Sequence, residues 1–441
     1  MKKTRLFILG ALSALALTSC SLFNDNDINL KIENHFNSKE EASAPPAPVE
    51  TVKGVGSQEL KIEDTNARVF KSIVYSNTED GKIKNTYTTA NGCMFNTNNG
   101  QDYEVSKTNN NFDLYLPVDD SFDRTADQTI VLFIHGGAWV SGLKTHVNPY
   151  VKEFTKRGYA SATIEYSLLS KAALTEDEMD DATLAKNRTL SLFRDLDEID
   201  ACIYTMKSCL VDLGFTGNLR LVIGGVSSGA HLTMLYAYSR LDTCPMPIRF
   251  LINAVGPTDI NENVWKAFVD DSDAVLDGGI TYSAISSQPS NLKPLGVSGA
   301  SFEWNEYQTM RIANGMCGFP YSPTEVAATA DGSKVNVADK ISAVYKNIVS
   351  NTPSGEKLLS VTNYISAGNK IPMLCGYAGK DTIVGIGQFA NLQHALENSG
   401  YVEHTDYEYF YFKECGHTNL DNDAEQYSNF INKITNWLET K

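Results

Sequence analysis

Positive charge is scarce in this chain: 37 Lys and Arg stand against 53 Asp and Glu over 441 residues, a formal net charge of −16. A surface of that sign repels phosphate, so a nucleic-acid partner is not expected and a neutral or sugar-like substrate fits better. There is no internal repeat, and no low-complexity tract beyond one N-terminal segment. Cysteine is present without a pattern. Setting Cys20 apart, seven remain at 93, 202, 209, 244, 317, 375 and 415, an odd number at irregular spacing that gives neither a disulfide framework nor a zinc motif. The acidic patches Asn24–Asp27 and Asp270–Asp273 lack the twelve-residue calcium-loop pattern. No metal and no organic cofactor is called for. What the chain does have is core material: 42% hydrophobic, 10% aromatic and 20% charged residues exclude wholesale disorder, collagen and coiled coil.

The N-terminus reads as an address. Met1 to Arg5 is positively charged, and Leu6 to Leu17 is an apolar run of 12 residues, short of the roughly 20 that a membrane-crossing helix needs. It ends in Leu17-Thr18-Ser19-Cys20, which resembles the lipobox of bacterial lipoproteins. The resemblance implies cleavage before Cys20, lipidation of its thiol and a lipid-anchored place in the cell envelope; the alternative is an ordinary secretory signal with an incidental cysteine. Removing residues 1–19 takes away Lys2, Lys3 and Arg5 and moves the net charge from −16 to −19. Ser21 rather than aspartate after the cysteine points to the outer membrane. Residues 20–63, rich in Asn, Glu, Ser, Ala and Pro around Ala44-Pro45-Pro46-Ala47-Pro48, read as a flexible tether.

Residues 64–441 read as one α/β domain. Two antiparallel strands, near 68–75 and 112–116, lead into apolar runs that alternate with amphipathic stretches, the mark of a mostly parallel sheet with helices on both faces. Strands are expected at Thr129–Ile134, Ala160–Glu165, Leu219–Gly224, Arg249–Val255, Pro372–Tyr377 and Tyr407–Phe412. Leu192, Leu196, Ile199, Ile203, Met206 and Leu210 share a helical face and predict a crossover helix, and a last helix is expected over 423–438. The stretch from about 258 to 370 is too long for a plain connection between two strands and reads as a cap insertion.

Three elements carry chemistry. Gly225-Val226-Ser227-Ser228-Gly229 follows a strand and precedes a helix-compatible run, the setting in which a G-x-S-x-G turn exposes a serine hydroxyl above a sheet. Ile134-His135-Gly136-Gly137-Ala138-Trp139 follows another strand. Its bare amides at Gly136 and Gly137, with that of Ser228, can point at a developing oxyanion. His135 is expected to brace that loop rather than move protons, and His231 to lie buried beneath the elbow. Trp139 stays open between pocket wall and core. Of seven histidines, only His417 follows the last strand in a turn, and Asp381 follows the strand before it. A base and its orienting acid belong at these loops, on the edge where the serine stands; Glu403 and Asp406 are weaker alternatives for the acid.

With these residues in hand, the chain from about Phe112 onward resembles the α/β-hydrolase superfamily, and within it the HGG-type esterases: hormone-sensitive-lipase-like, carbohydrate-esterase-like and kynurenine-formamidase-like enzymes. The resemblance implies an α/β-hydrolase fold with Ser227 as nucleophile, His417 as base, Asp381 as acid, and Gly136, Gly137 and Ser228 as the oxyanion hole. It implies an ester hydrolase acting on a small-molecule or carbohydrate ester, with acetyl and feruloyl esters as candidates. A peptidase-like hydrolase and a catalytically silent surface binding protein are the alternative readings. The chain departs from the family pattern at Ala138, where a third glycine is common, at Ser228, where alanine is common, at Ser167, where an arginine usually follows the tyrosine, and at Tyr377, where a histidine is common.

Overall fold

The computed structural model describes residues 61–64, 67–86, 100–118, 122–137, 139, 142–168, 192–259, 360–381 and 384–441. The lipobox with Cys20, the segment 20–60, Ala138, and residues 260–359 of the cap insertion lie outside the described residues. Nine strands form one sheet: β1 (Lys61–Asp64), β2 (Ala67–Val74), β3 (Asn111–Pro117), β4 (Gln128–Ile134), β5 (Ser161–Glu165), β6 (Leu219–Val226), β7 (Ile248–Ala254), β8 (Met373–Ala378) and β9 (Tyr407–Phe412). Among the described residues five α-helices accompany them: α1 (Asn148–Lys156), α2 (Leu192–Asp212), α3 (Ser228–Ser239), α4 (Gly387–Asn398) and α5 (Ala424–Thr440). The strand order is β1-β2-β3-β5-β4-β6-β7-β8-β9. The pairs from β1 to β5 are antiparallel, and every pair from β5 across to β9 is parallel.

The sequence of β4, Gln-Thr-Ile-Val-Leu-Phe-Ile, shows why a near-continuous apolar run forms a central strand. Ile130, Leu132 and Ile134 enter one core while Val131 and Phe133 enter the other, so both faces are covered. From β4 the chain runs through α1 to β5 on one side, then through α2 to β6 on the other. Because each parallel crossover is right-handed, reversing direction puts the two helices on opposite faces. Accordingly Tyr150, Val151 and Phe154 of α1 join the core that holds Phe430 to Leu438 of α5, while α2, α3 and α4 pack in the other. The strand order reverses at β4, and in open α/β sheets the crevice at the carboxyl ends next to such a reversal is where ligands bind.

Two boundaries differ from the sequence reading. β1 starts at Lys61, three residues inside the stretch read as tether, because a backbone ladder to β2 needs no apolar side chains to form at a sheet edge. The insertion also ends earlier than expected. Residues 360–370 belong to the base of the domain, where Ser360 Oγ donates to Asp259 Oδ1 at 2.9 Å. Gln388 and Asn391 of α4 complete this clasp: the Thr258 and Asp259 amides donate to Gln388 Oε1 at 2.7 and 2.8 Å, and Asn391 Nδ2 donates to Asp259 Oδ2 at 3.0 Å. All five residues are buried, so these hydrogen bonds stand in for lost contacts with water. Among the described cysteines, 202, 209, 375 and 415 are buried free thiols and Cys244 is partly buried.

Candidate active site

Ser227 sits between the end of β6 and the first turn of α3 with φ 56° and ψ −125°. A serine in the left-handed region is strained, and such strain persists where the surroundings over-determine it. Here the Ser227 N–H donates to Ala254 O at 2.8 Å, and its carbonyl accepts the His231 N–H at 3.1 Å to open the helix. Ser228 is the first residue of α3, so its N–H lies outside the helix's own ladder.

The loop after β4 lies directly against this elbow. A Cβ added to Gly136 would stand 2.9 Å from Ser227 Cβ and 2.8 Å from Val226 O, so only glycine allows the approach. Gly137 adopts φ 128°, also open to glycine. His135 is buried; its Nδ1 is 2.9 Å from Gly136 O, its ring stacks on Tyr166 at 4.4 Å, and Tyr166 donates its hydroxyl to His135 O at 3.2 Å. Tyr166 is in turn fixed by its neighbour, since the Ser167 N–H and hydroxyl both donate to Glu198 at 2.7 Å. Glu198 is held in turn from its own helix, where Arg194 Nε donates to it at 2.8 Å. Nothing local to Tyr166 signals this arginine, which lies one helical turn before its partner on another element.

Burial pushes the His135 imidazole down to about 4, only partly offset by its contact with Gly136 O. The folded protein thus binds its proton less readily than the unfolded chain, and stability present above about pH 6.5 is lost as pH falls through about 4, a contribution of about 3 kcal/mol. His135→Phe, which keeps a ring on Tyr166, is expected to flatten the pH dependence of unfolding free energy between pH 7 and 4 by that amount. Parallel curves for the two proteins would show that His135 does not contribute.

The remaining two residues come from the loops after β8 and β9. His417 Nδ1 donates to Asp381 Oδ2 at 2.7 Å, which leaves Nε2 to accept from Ser227 Oγ at 2.9 Å. The second carboxylate oxygen, Asp381 Oδ1, accepts the Val384 N–H at 2.8 Å. The two loops are laced together, as the Gly379 and Lys380 amides donate to Phe412 O and Cys415 O, each at 2.9 Å, and Asn419 Oδ1 accepts the Gly416 N–H at 2.7 Å. Side chains separated by up to 190 positions in the chain are thereby joined in one hydrogen-bonded line. All three are buried, with Ser227 and His417 each 6% and Asp381 8% exposed.

The structure thus brings Ser227, His417 and Asp381 together, with Gly136 and Ser228 beside the serine and Gly137 next in the loop. Glu403 and Asp406 are elsewhere: Glu403 bridges to Tyr407 and Asp406 accepts the Val402 N–H at 2.9 Å. Trp139 falls on the core side of its two readings, buried with its ring edge-on to His231 at 5.2 Å. His231 is fully buried. Tyr377, in the place where histidine is common, donates to Gly256 O at 2.7 Å and accepts from Asn253 Nδ2 at 2.9 Å, bracing the loop beneath the elbow.

Sheet order and site geometry define an α/β-hydrolase fold. Residues 112–185, from β3 through the glycine loop and β5, match the family model BD-FAE. The chain is similar to Esterase B from Lactobacillus rhamnosis, with 12% identity, 76% of this chain and 83% of that one covered, and a TM-score of 0.46. It is also similar to a truncated carbohydrate esterase from gut microbiota, with 15% identity, coverage of 75% and 91%, and a TM-score of 0.44. Among curated proteins, a stretch of 156 residues is 23% identical to the non-reducing polyketide synthase Preu3 of Preussia isomera, covering 35% of this chain. The chain spans 6% of the length of that relative.

Proposed function

We propose that the protein is a serine carboxylic-ester hydrolase of the bacterial cell envelope, anchored by lipid on Cys20 and acting on acyl esters of carbohydrates. The observation that carries the catalytic reading is the line Asp381–His417–Ser227, with contacts of 2.7 and 2.9 Å. Ser227 Oγ attacks the acyl carbonyl as His417 Nε2 takes its proton, and Asp381 holds the imidazole in the required tautomer and stabilises its charge. The Gly136, Gly137 and Ser228 amides hold the oxyanion of the tetrahedral intermediate, each donor contributing about 3 kcal/mol. His417 then protonates the leaving alcohol, and water, activated by the same imidazole, releases the acid from the acyl-enzyme. The net charge of −16 disfavours anionic substrates and is compatible with neutral sugar esters, which the resemblance to carbohydrate-esterase-like enzymes suggests.

One experiment on the full chain tests site and location together. Cells expressing it are treated with a fluorophosphonate probe and fractionated, and the protein is analysed by mass spectrometry beside p-nitrophenyl acetate and butyrate turnover. Expected are turnover, the probe on the Ser227 peptide, and a diacylglyceryl-modified Cys20 in the envelope fraction. Folded protein with neither turnover nor label would refute the hydrolase, and an unmodified Cys20 would refute the anchor.

A further inference from the structure

The loop that opens with His135 and Gly136 is bolted at its far end to the antiparallel edge of the sheet. Lys144, just past that loop, is buried, and its Nζ donates to Asp113 Oδ1 at 2.6 Å, to Ser72 Oγ at 3.2 Å and to Asn111 Oδ1. Its backbone N–H donates to Glu165 Oε2 at 2.9 Å. The three acceptors of Nζ all belong to β2 and β3, so a single ammonium joins the loop to a hairpin remote in sequence.

The hairpin is deformed to receive it. The β2–β3 register shifts between Phe70 and Ile73, and Ser72 adopts φ 53°, which turns its N–H to Asp113 Oδ1 at 2.7 Å. Bulges of this kind gather next to active sites, where they re-aim a side chain. The far end of the loop also touches its beginning. At Gly142, two residues before Lys144, an added Cβ would stand 2.2 Å from Gly136 O and 2.4 Å from His135 Nδ1. Gly136 in turn abuts Ser227, as described above. A displacement of Lys144 is therefore passed by backbone contact through Gly142 to Gly136 and to the nucleophile.

We propose that the buried Lys144–Asp113 pair is a positioning element of the reaction: it sets where the Gly136 and Gly137 amides stand relative to Ser227 without touching substrate. This rests on the hydrolase reading given above. A buried ion pair is weak support for stability, because apolar or neutral replacements of similar volume are often tolerated; its consequence here is geometric.

The test is the double variant Lys144→Met/Asp113→Asn, which keeps both side-chain volumes and leaves no lone buried charge. Expected are a melting temperature lowered by only a few degrees for the buried acceptors left without a donor, an unchanged KM, and kcat on p-nitrophenyl acetate lowered about 10- to 100-fold per fluorophosphonate-titrated site, the scale of a misplaced oxyanion donor. Affinity for a trifluoromethyl ketone, which forms a tetrahedral adduct on the serine, is expected to fall by the same factor, a change that loss of general stability would not produce. Wild-type kcat in the folded double variant overturns the proposal. Should the double variant fail to fold, Ser72→Ala removes one acceptor and keeps both charges. It is expected to lower kcat about 3-fold at unchanged melting temperature, and an unaltered kcat overturns the proposal equally. The wild-type protein runs alongside: no turnover and no label there sinks the hydrolase reading and the positioning role with it, whereas equal turnover in variant and wild type sinks the positioning role alone.

Discussion

Asp381→Asn is expected to lower kcat about 10⁴-fold while KM and melting temperature stay near those of the wild type. The reason lies in the second bond of the carboxylate. Asp381 Oδ1 accepts the Val384 N–H at 2.8 Å while Oδ2 accepts from His417 Nδ1 at 2.7 Å. An asparagine must turn its carbonyl to Val384, since an NH₂ there would face another donor, and so its NH₂ faces the imidazole. His417 then accepts at Nδ1 and carries its proton on Nε2, which points a donor at Ser227 Oγ from 2.9 Å. The serine loses its base without any change in packing. Ser227→Ala removes the nucleophile and is expected to cost about 10⁶-fold, and the double variant should reach the same floor rather than the sum of the two effects, because the residues act as one unit. The measurement is p-nitrophenyl acetate kinetics with circular dichroism melts. An asparagine variant within tenfold of wild-type kcat would remove Asp381 from the line.

The second large effect is on folding. At Gly229 an added Cβ would stand 2.3 Å from both Ile134 O and His135 O. Both obstacles are backbone at the end of β4, the strand the sheet order reverses around, and neither can rotate away as a side chain would. Gly229→Ala must then push α3 off the sheet or displace the glycine loop, so a loss of more than about 4 kcal/mol is expected, out of the roughly 5–15 kcal/mol that hold a protein of this kind together. Urea titration of the purified variant, or its failure to accumulate as soluble protein, reads this out. A midpoint equal to the wild type would mean that the elbow and the loop are less tightly apposed than described.

Which parts of this architecture are legible in the sequence follows from what buries each residue. β4 to β9 are apolar on both faces, or nearly so, and announce themselves as short hydrophobic runs, matched within two residues at their starts. The elbow is legible because a local pentapeptide does a local geometric task. His417 and Asp381 are legible by position, as the polar residues in turns after the last two strands. α4 is not, because its inward face includes Gln388 and Asn391, which meet backbone and carboxylate rather than core, so the apolar period is weak. β1, Lys-Ile-Glu-Asp, is a four-residue strand with one apolar residue and no hydrophobic run to show. The Lys144–Asp113 pair is invisible to any windowed reading: its members are 31 positions apart, on elements whose apposition exists only once the sheet has formed. Arg194 and Glu198 are four residues apart on one helix, but the contact of Glu198 with Ser167, 31 positions away, is equally invisible to such a reading.

The clasp at Thr258, Asp259, Ser360, Gln388 and Asn391 has a consequence for how this chain can vary over generations. The residues flanking 260–359 are joined by hydrogen bonds, Ser360 Oγ to Asp259 Oδ1 at 2.9 Å and the Thr362 N–H to Thr258 O at 3.3 Å. In polymer terms the ends of that segment are already closed by the host, and closing a flexible loop costs only about 0.6 kcal/mol for each doubling of its length. The contacts among Ser227, Asp381 and His417 are all made by residues outside these two feet. Length between Asp259 and Ser360 and chemistry at the sheet edge can therefore be selected separately.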